Sequence, residues 1–331
     1  MSKELMAALA VGVSLAAAPL AAKELKLAHF MSPQHPMDQH VMSPLAEAIN
    51  EATGGELTIR VYPAGELGAG PGQQYRRAVT GIADIAFSLP QYTPAQFKRS
   101  VLLHVPGLFE SPEQATEVIY REIDALDEDF SQVELLAFWT NNPSMLFTRN
   151  RPVRSLEDVE GLKIRVPDPV SAAIVESWGG VPVSLPATET YNAMSTGVVD
   201  AVMIGASAIG SYNLQEVTSY ATLNTPGALS TFSLIMNRDS WNGLSEEEQA
   251  LIREHTGPDL SMRAATAFRE AGERGLTMLE EAGVEFITLD DDTLAEFEEA
   301  MEEPLNDFLR AEGEAGGFDG IALVDRFRTD G

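Results

Sequence analysis

Residues 162–166, LKIRV, place Arg165 between Ile164 and Val166 in a segment that reads as a strand with buried neighbours. A guanidinium is always charged, and its planar fork of donors matches a carboxylate. On a half-buried strand it needs an anion opposite it. From the residues alone two anions compete: an acidic side chain of the chain itself, with Glu160 and Asp168 near in sequence, or the carboxylate of a ligand. Other residues able to line a binding site fall at or near the ends of strand-like segments. They are Phe30, Gln91, Tyr92, Trp139, Asn141, Asn142, Met203, Gly205 and Phe232. The aromatics can stack on a ring, and Gln91, Asn141 or Tyr92 can hydrogen-bond a hydroxyl.

Competing chemistries find little support. The chain has no cysteine, which excludes disulfides, thiolate metal sites and thiol nucleophiles. GASAIG lacks the spacing of a serine elbow, GAGPGQ lacks the last glycine of a dinucleotide fingerprint, and neither a phosphate loop nor HExxH occurs. His29, His35 and His40 are spaced too loosely for a helical metal pair. The aspartates at 290–292 lack calcium-loop spacing and read as a helix N-cap. No catalytic residue, metal or cofactor is expected. Fifty acidic residues against 22 basic ones give a formal charge of −28, which repels nucleic acid and anionic membranes. An anionic ligand therefore needs a local cation.

These residues must be positioned by a sizeable fold, and 331 residues with 44% apolar content suit two lobes. Residues 1–22 read as an export signal: Lys3, an apolar run and then alanines. After it, strand-like ELKLAHF, a helix over 38–53, strand-like LTIRVYP, a helix to about Val79 and strand-like ADIAFSL give a β-α-β-α-β order with a largely parallel sheet. The second half repeats the order through LKIRV, VPVSL and VVDAVMI. VTGIADIAF at 79–87 echoes STGVVDAVM at 195–203. Beyond Pro226 come strand-like LSTFSLIMN, a capping box at Ser245 and Glu248, and a long helix over 259–282. Ligands of open α/β sheets bind beyond the carboxyl ends of the strands, which places a cleft between the lobes.

Four stretches carry a family resemblance: LAHFMSPQHPMDQHV, EATGGELTIRVYPAGELG, AVTGIADIAF and SLEDVEGLKIRVPDPVSAAIVESWGGVPVSLPATETYNAMSTGVVDA. Through them the chain resembles the DctP-like solute-binding proteins of TRAP transporters over essentially its whole mature length. The resemblance implies an α/β fold: a two-lobed periplasmic-binding-protein-like clamp with a long helix crossing both lobes. It implies lobe I over 23–142 plus about 229–272, and lobe II over 143–228 plus about 273–331. It further implies a monomeric periplasmic protein that hands an organic acid to the small and large membrane subunits of a permease. By position Arg165 is the family's carboxylate-binding arginine. Where many relatives carry a further arginine in a segment resembling GFRQFTN, this chain reads PSMLFTRN and has Met145. One cation with an apolar neighbour suits a monocarboxylate, favoured here as benzoate or a hydroxybenzoate. A small 2-oxo or 2-hydroxy acid is the alternative ligand, and a receptor for a sensor kinase the alternative role. From the residues alone, Met145 is equally a core filler.

Overall fold

The computed structural model describes residues 22–68 and 70–328, so the expected export signal lies outside the described residues except for Ala22. In chain order the strands are β1 (Lys23–Ala28), β2 (Leu57–Tyr62), β3 (Ile85–Ser88), β4 (Val133–Thr140), β5 (Ser144–Thr148) and β6 (Lys163–Val166). β7 (Val181–Ser184), β8 (Ala201–Gly205), β9 (Tyr220–Thr222), β10 (Thr231–Asn237) and β11 (Glu285–Ile287) follow. They form two sheets, ordered β2-β1-β3-β10-β4 and β11-β9-β5-β8-β6-β7.

Both sheets are mixed, which corrects the largely parallel expectation. β1 runs parallel to β2 and β3, and β6 parallel to β7 and β8. β10 runs antiparallel between β3 and β4, and β5 antiparallel between β8 and β9. β5 and β10 each follow a crossing from one sheet to the other, which delivers the chain to the opposite end of the sheet from a βαβ connection. β10 and β8 are central, and every residue of TFSLIMN and AVMIG is buried, as a strand covered on both faces requires.

The sequence echo is a structural one. Gly81 and Gly197 both turn left-handed, with φ of 71° and 75°, a conformation open to glycine at no steric cost. The aspartate three residues on then accepts a neighbouring strand's amide: Lys26 N to Asp84 Oδ2 at 2.8 Å in one lobe, Lys163 N to Asp200 Oδ2 at 3.0 Å in the other. By this correspondence Ala28 is the counterpart of Arg165, so the cation exists in one lobe alone.

The helix Gly257–Glu281 has 25 residues, roughly 37 Å of axis, and spans both lobes. Its first half packs on β4 and the helix Pro112–Arg121, its second half on the helix Ala208–Tyr212. Gly275 permits the closest approach, since a Cβ there would lie 2.2 Å from the Ala206 carbonyl oxygen. At the chain's end, the helix Asp291–Gly316 packs on Pro169–Ser177 of the second lobe, while Arg326 pairs with Glu122 of the first.

Candidate functional site

The carboxyl ends of β1, β3, β4, β6 and β8 converge on a cavity between the two sheets. β1 is followed there by Phe30, Met31 and His35; β3 by Leu89, Gln91 and Tyr92; β4 by Asn141. The second lobe contributes Arg165, Pro167, Ala187, Ile204, Ser207, Ala208 and Tyr212, and Ser230, Phe232 and Phe268 complete the wall.

Arg165 is 1% exposed. Its side chain leaves the sheet on the face opposite Ile164 and Val166, which are fully buried in the core. Nε donates to the Leu185 carbonyl at 2.8 Å, Nη1 to the Met203 carbonyl at 3.4 Å and Nη2 to the Tyr92 hydroxyl at 3.4 Å. A guanidinium has five N–H donors. These three bonds leave one on each terminal nitrogen, the pair that a carboxylate engages side by side. Among the described residues Arg165 makes no ion pair. Asp168 instead caps the helix Pro169–Ser177 through Ser171 N at 2.8 Å and meets His104 Nδ1 at 3.1 Å. Burial works to raise its pKa, but His104 and the Ser171 hydrogen bonds prevail and hold it below the usual carboxylate range.

The opposite wall is aromatic. Phe232 packs against Phe268 with ring centroids 4.8 Å apart and stacks on Phe87 at 5.7 Å, and Phe87 in turn meets Phe30 at 5.8 Å. His35 joins this wall from the loop after β1, 6.2 Å from Phe268 and 6.4 Å from Tyr212 of the other lobe. Its Nδ1 accepts the Met37 amide at 3.1 Å, so the neutral ring carries its proton on Nε2. Burial, reinforced by His29, lowers the His35 pKa to about 3. Burial also pushes the Tyr212 hydroxyl above its usual range, Tyr92 adding to the effect and Arg165 opposing it.

The profile of the bacterial extracellular solute-binding proteins, family 7, matches residues 27–311. The chain belongs to this family, the solute-binding proteins of TRAP transporters. The C4-dicarboxylate-binding periplasmic protein DctP of Rhodobacter capsulatus is 26% identical over 277 residues, 81% of this chain and 80% of the relative. A TRAP solute-binding protein of an unidentified marine microbe, specific for aromatic acids and solved with 3-hydroxybenzoate, superposes with a TM-score of 0.87 at 25% identity. That match covers 92% of this chain and 96% of the other. One from Bordetella bronchiseptica, solved with (R)- and (S)-mandelate, gives a TM-score of 0.81 at 28% identity over 92% of this chain and 97% of the other.

Of the residues singled out from sequence, Phe30, Gln91, Tyr92, Asn141, Arg165 and Phe232 line the cavity of this solute-binding protein. Five do not. Trp139 pairs with Phe232 and Met145 with Ile204, so each shares the cavity's face but stands one strand too far out. Met203 turns its side chain into the core on the other face and reaches Arg165 through its carbonyl alone. Asn142 lies against Gly272 of the long helix. At Gly205 a Cβ would stand 2.8 Å from the Asn142 carbonyl oxygen, so this glycine permits backbone packing. His35, Tyr212 and Phe268 are the chief lining residues that sequence reasoning missed. The available signal was position: His35 in the loop after β1 and Tyr212 in the helix after β8.

Proposed function

We propose that this TRAP solute-binding protein is exported to the periplasm, where it captures an aromatic monocarboxylate and delivers it to the membrane subunits of its permease. The observation that carries the reading is Arg165: a buried cation with two N–H donors to spare and no carboxylate partner among the described residues. The ligand carboxylate takes those donors, and its flat body packs on Phe30, Phe232 and Phe268. The aromatic acid and mandelate bound by the two solved relatives support the same class.

Arg165 is the one lysine or arginine that lines the cavity among the described residues. A second ligand carboxylate would be desolvated without a partner, at a cost of several kcal/mol, roughly 3 or more. Calorimetric competition tests this. Benzoate, hydroxybenzoates and mandelate are expected to bind more tightly than succinate, malate or a sialic acid. Tighter binding of any dicarboxylate than of every monoacid overturns the assignment.

A further inference from the structure

Gln91 carries an unused hydrogen-bonding group at the cavity wall. The residue is 4% exposed, and its Oε1 is buried without a hydrogen-bond partner among the described residues. Two oxygens of neighbouring cavity residues already act as acceptors. The Asn141 Oδ1 accepts the Ser230 amide at 2.8 Å, and the Tyr92 hydroxyl oxygen accepts from Ala187 N and Arg165. A buried amide oxygen without a donor is unfavourable, so such a group inside a binding cavity points to a donor carried by the ligand.

A hydroxyl suits that donor best. A carboxylate is acceptor-only and cannot satisfy an amide oxygen. An ammonium group would bring a second cation into the small cavity that already holds the Arg165 guanidinium, which disfavours its charged form. A hydroxyl is neutral, donates to Oε1 and can still accept from the amide Nε2.

We propose that Gln91 reads a hydroxyl on the ligand, and that the physiological ligand class is therefore hydroxylated aromatic monoacids rather than their bare parents. This rests on the aromatic-acid reading above. The hydroxyl can sit on the ring, as in a hydroxybenzoate, or on the carbon beside the carboxylate, as in mandelate. Both carry a neutral O–H donor.

The test is calorimetry on matched pairs: benzoate against 3- and 4-hydroxybenzoate, and phenylacetate against mandelate. Each pair is measured with the wild-type chain, with Gln91→Met, which keeps the length but removes the acceptor, and with Gln91→Leu as a second variant. The wild type is expected to favour one hydroxylated acid over its parent by about tenfold or more, because a site built to bond a hydroxyl rejects the analogue that lacks it. Which pair shows the preference tells ring from side-chain hydroxyl. In both variants the preference within each pair should collapse to within about twofold. A preference that survives both substitutions, or none in the wild type, overturns the hydroxyl reading alone. Failure of every aromatic acid to bind overturns the aromatic reading and this inference with it.

Discussion

The Tyr92 hydroxyl meets the Arg165 guanidinium at 3.4 Å across the cleft, from the turn after β3 in one sheet to β6 in the other. The same oxygen accepts the Ala187 amide at 2.8 Å, so one phenol ties the first lobe to two points of the second. With its oxygen accepting twice, its proton remains free to donate, and a carboxylate on Arg165 is the acceptor within the site's chemistry. Tyr92→Phe removes all three interactions but keeps the ring. Ligand affinity is expected to fall by about tenfold or more, chiefly through faster dissociation, given roughly 1.5–3 kcal/mol for a hydrogen bond to a charged group. Stopped-flow association and dissociation rates check it, and an unchanged dissociation rate would rule out the clasp.

Arg165→Ala should abolish measurable acid binding while the chain stays folded. Losing a charge-assisted bidentate contact in a buried cleft costs about 2–5 kcal/mol. Arg165→Lys should also bind poorly, because an ammonium cannot reproduce two parallel N–H bonds while holding the Leu185 and Met203 carbonyls. Calorimetry with benzoate and 3-hydroxybenzoate reads both variants, and near wild-type affinity in the alanine variant would contradict the assignment. Melting temperatures provide the folding control.

His35 predicts an acid-sensitive fold. Its pKa is lowered from 6.5 to about 3, so the unfolded chain binds a proton that the folded chain refuses over that window. The stability loss therefore begins as pH falls through 6.5 and levels off below about 3. Its slope is at most about 1.4 kcal/mol per pH unit for one proton. His35→Gln keeps a polar side chain without the titration. Urea midpoints from pH 7 to pH 4 should fall less steeply in the variant, and parallel slopes would remove His35 as the cause.

Local chemistry was legible where it repeats a short physical rule. The Ser245 and Glu248 capping box forms, with Glu248 N donating to Ser245 Oγ at 3.2 Å and Ser245 N to Glu248 Oε2 at 2.7 Å. Asp290 is an N-cap, accepting Thr293 N at 2.9 Å. The Thr-Gly-x-x-Asp echo marks equivalent turns, and strand alternation puts Arg165 on the face away from Ile164. Alternation tells which residues share a face, but not which face meets the cleft or how many strands the cleft spans. Met203 fails on the first count, and Trp139 and Met145 on the second. Phe268 was invisible for another reason: it comes from a distant helix whose apolar stripe gives no sign of where it crosses the cavity.

That crossing is the basis of a last prediction. Gly275 of the long helix faces the Ala206 carbonyl so closely that a Cβ would stand 2.2 Å from its oxygen and 3.2 Å from the Ile209 Cβ. The obstacle is backbone, which cannot swing aside as a flexible side chain would. Ala206 leads directly into Ser207 and Ala208, which line the cavity, so moving the helix off this turn also shifts a wall of the site. Gly275→Ala should therefore destabilise the chain by about 1–3 kcal/mol, the usual cost of overpacking, despite alanine's better helix propensity. It should also weaken ligand binding. Thr277→Ala, at an exposed position two residues on, is the control and should leave both properties nearly unchanged. Thermal melts with and without 3-hydroxybenzoate measure the two effects together. A Gly275→Ala chain as stable as the control would mean that the two segments can part without cost.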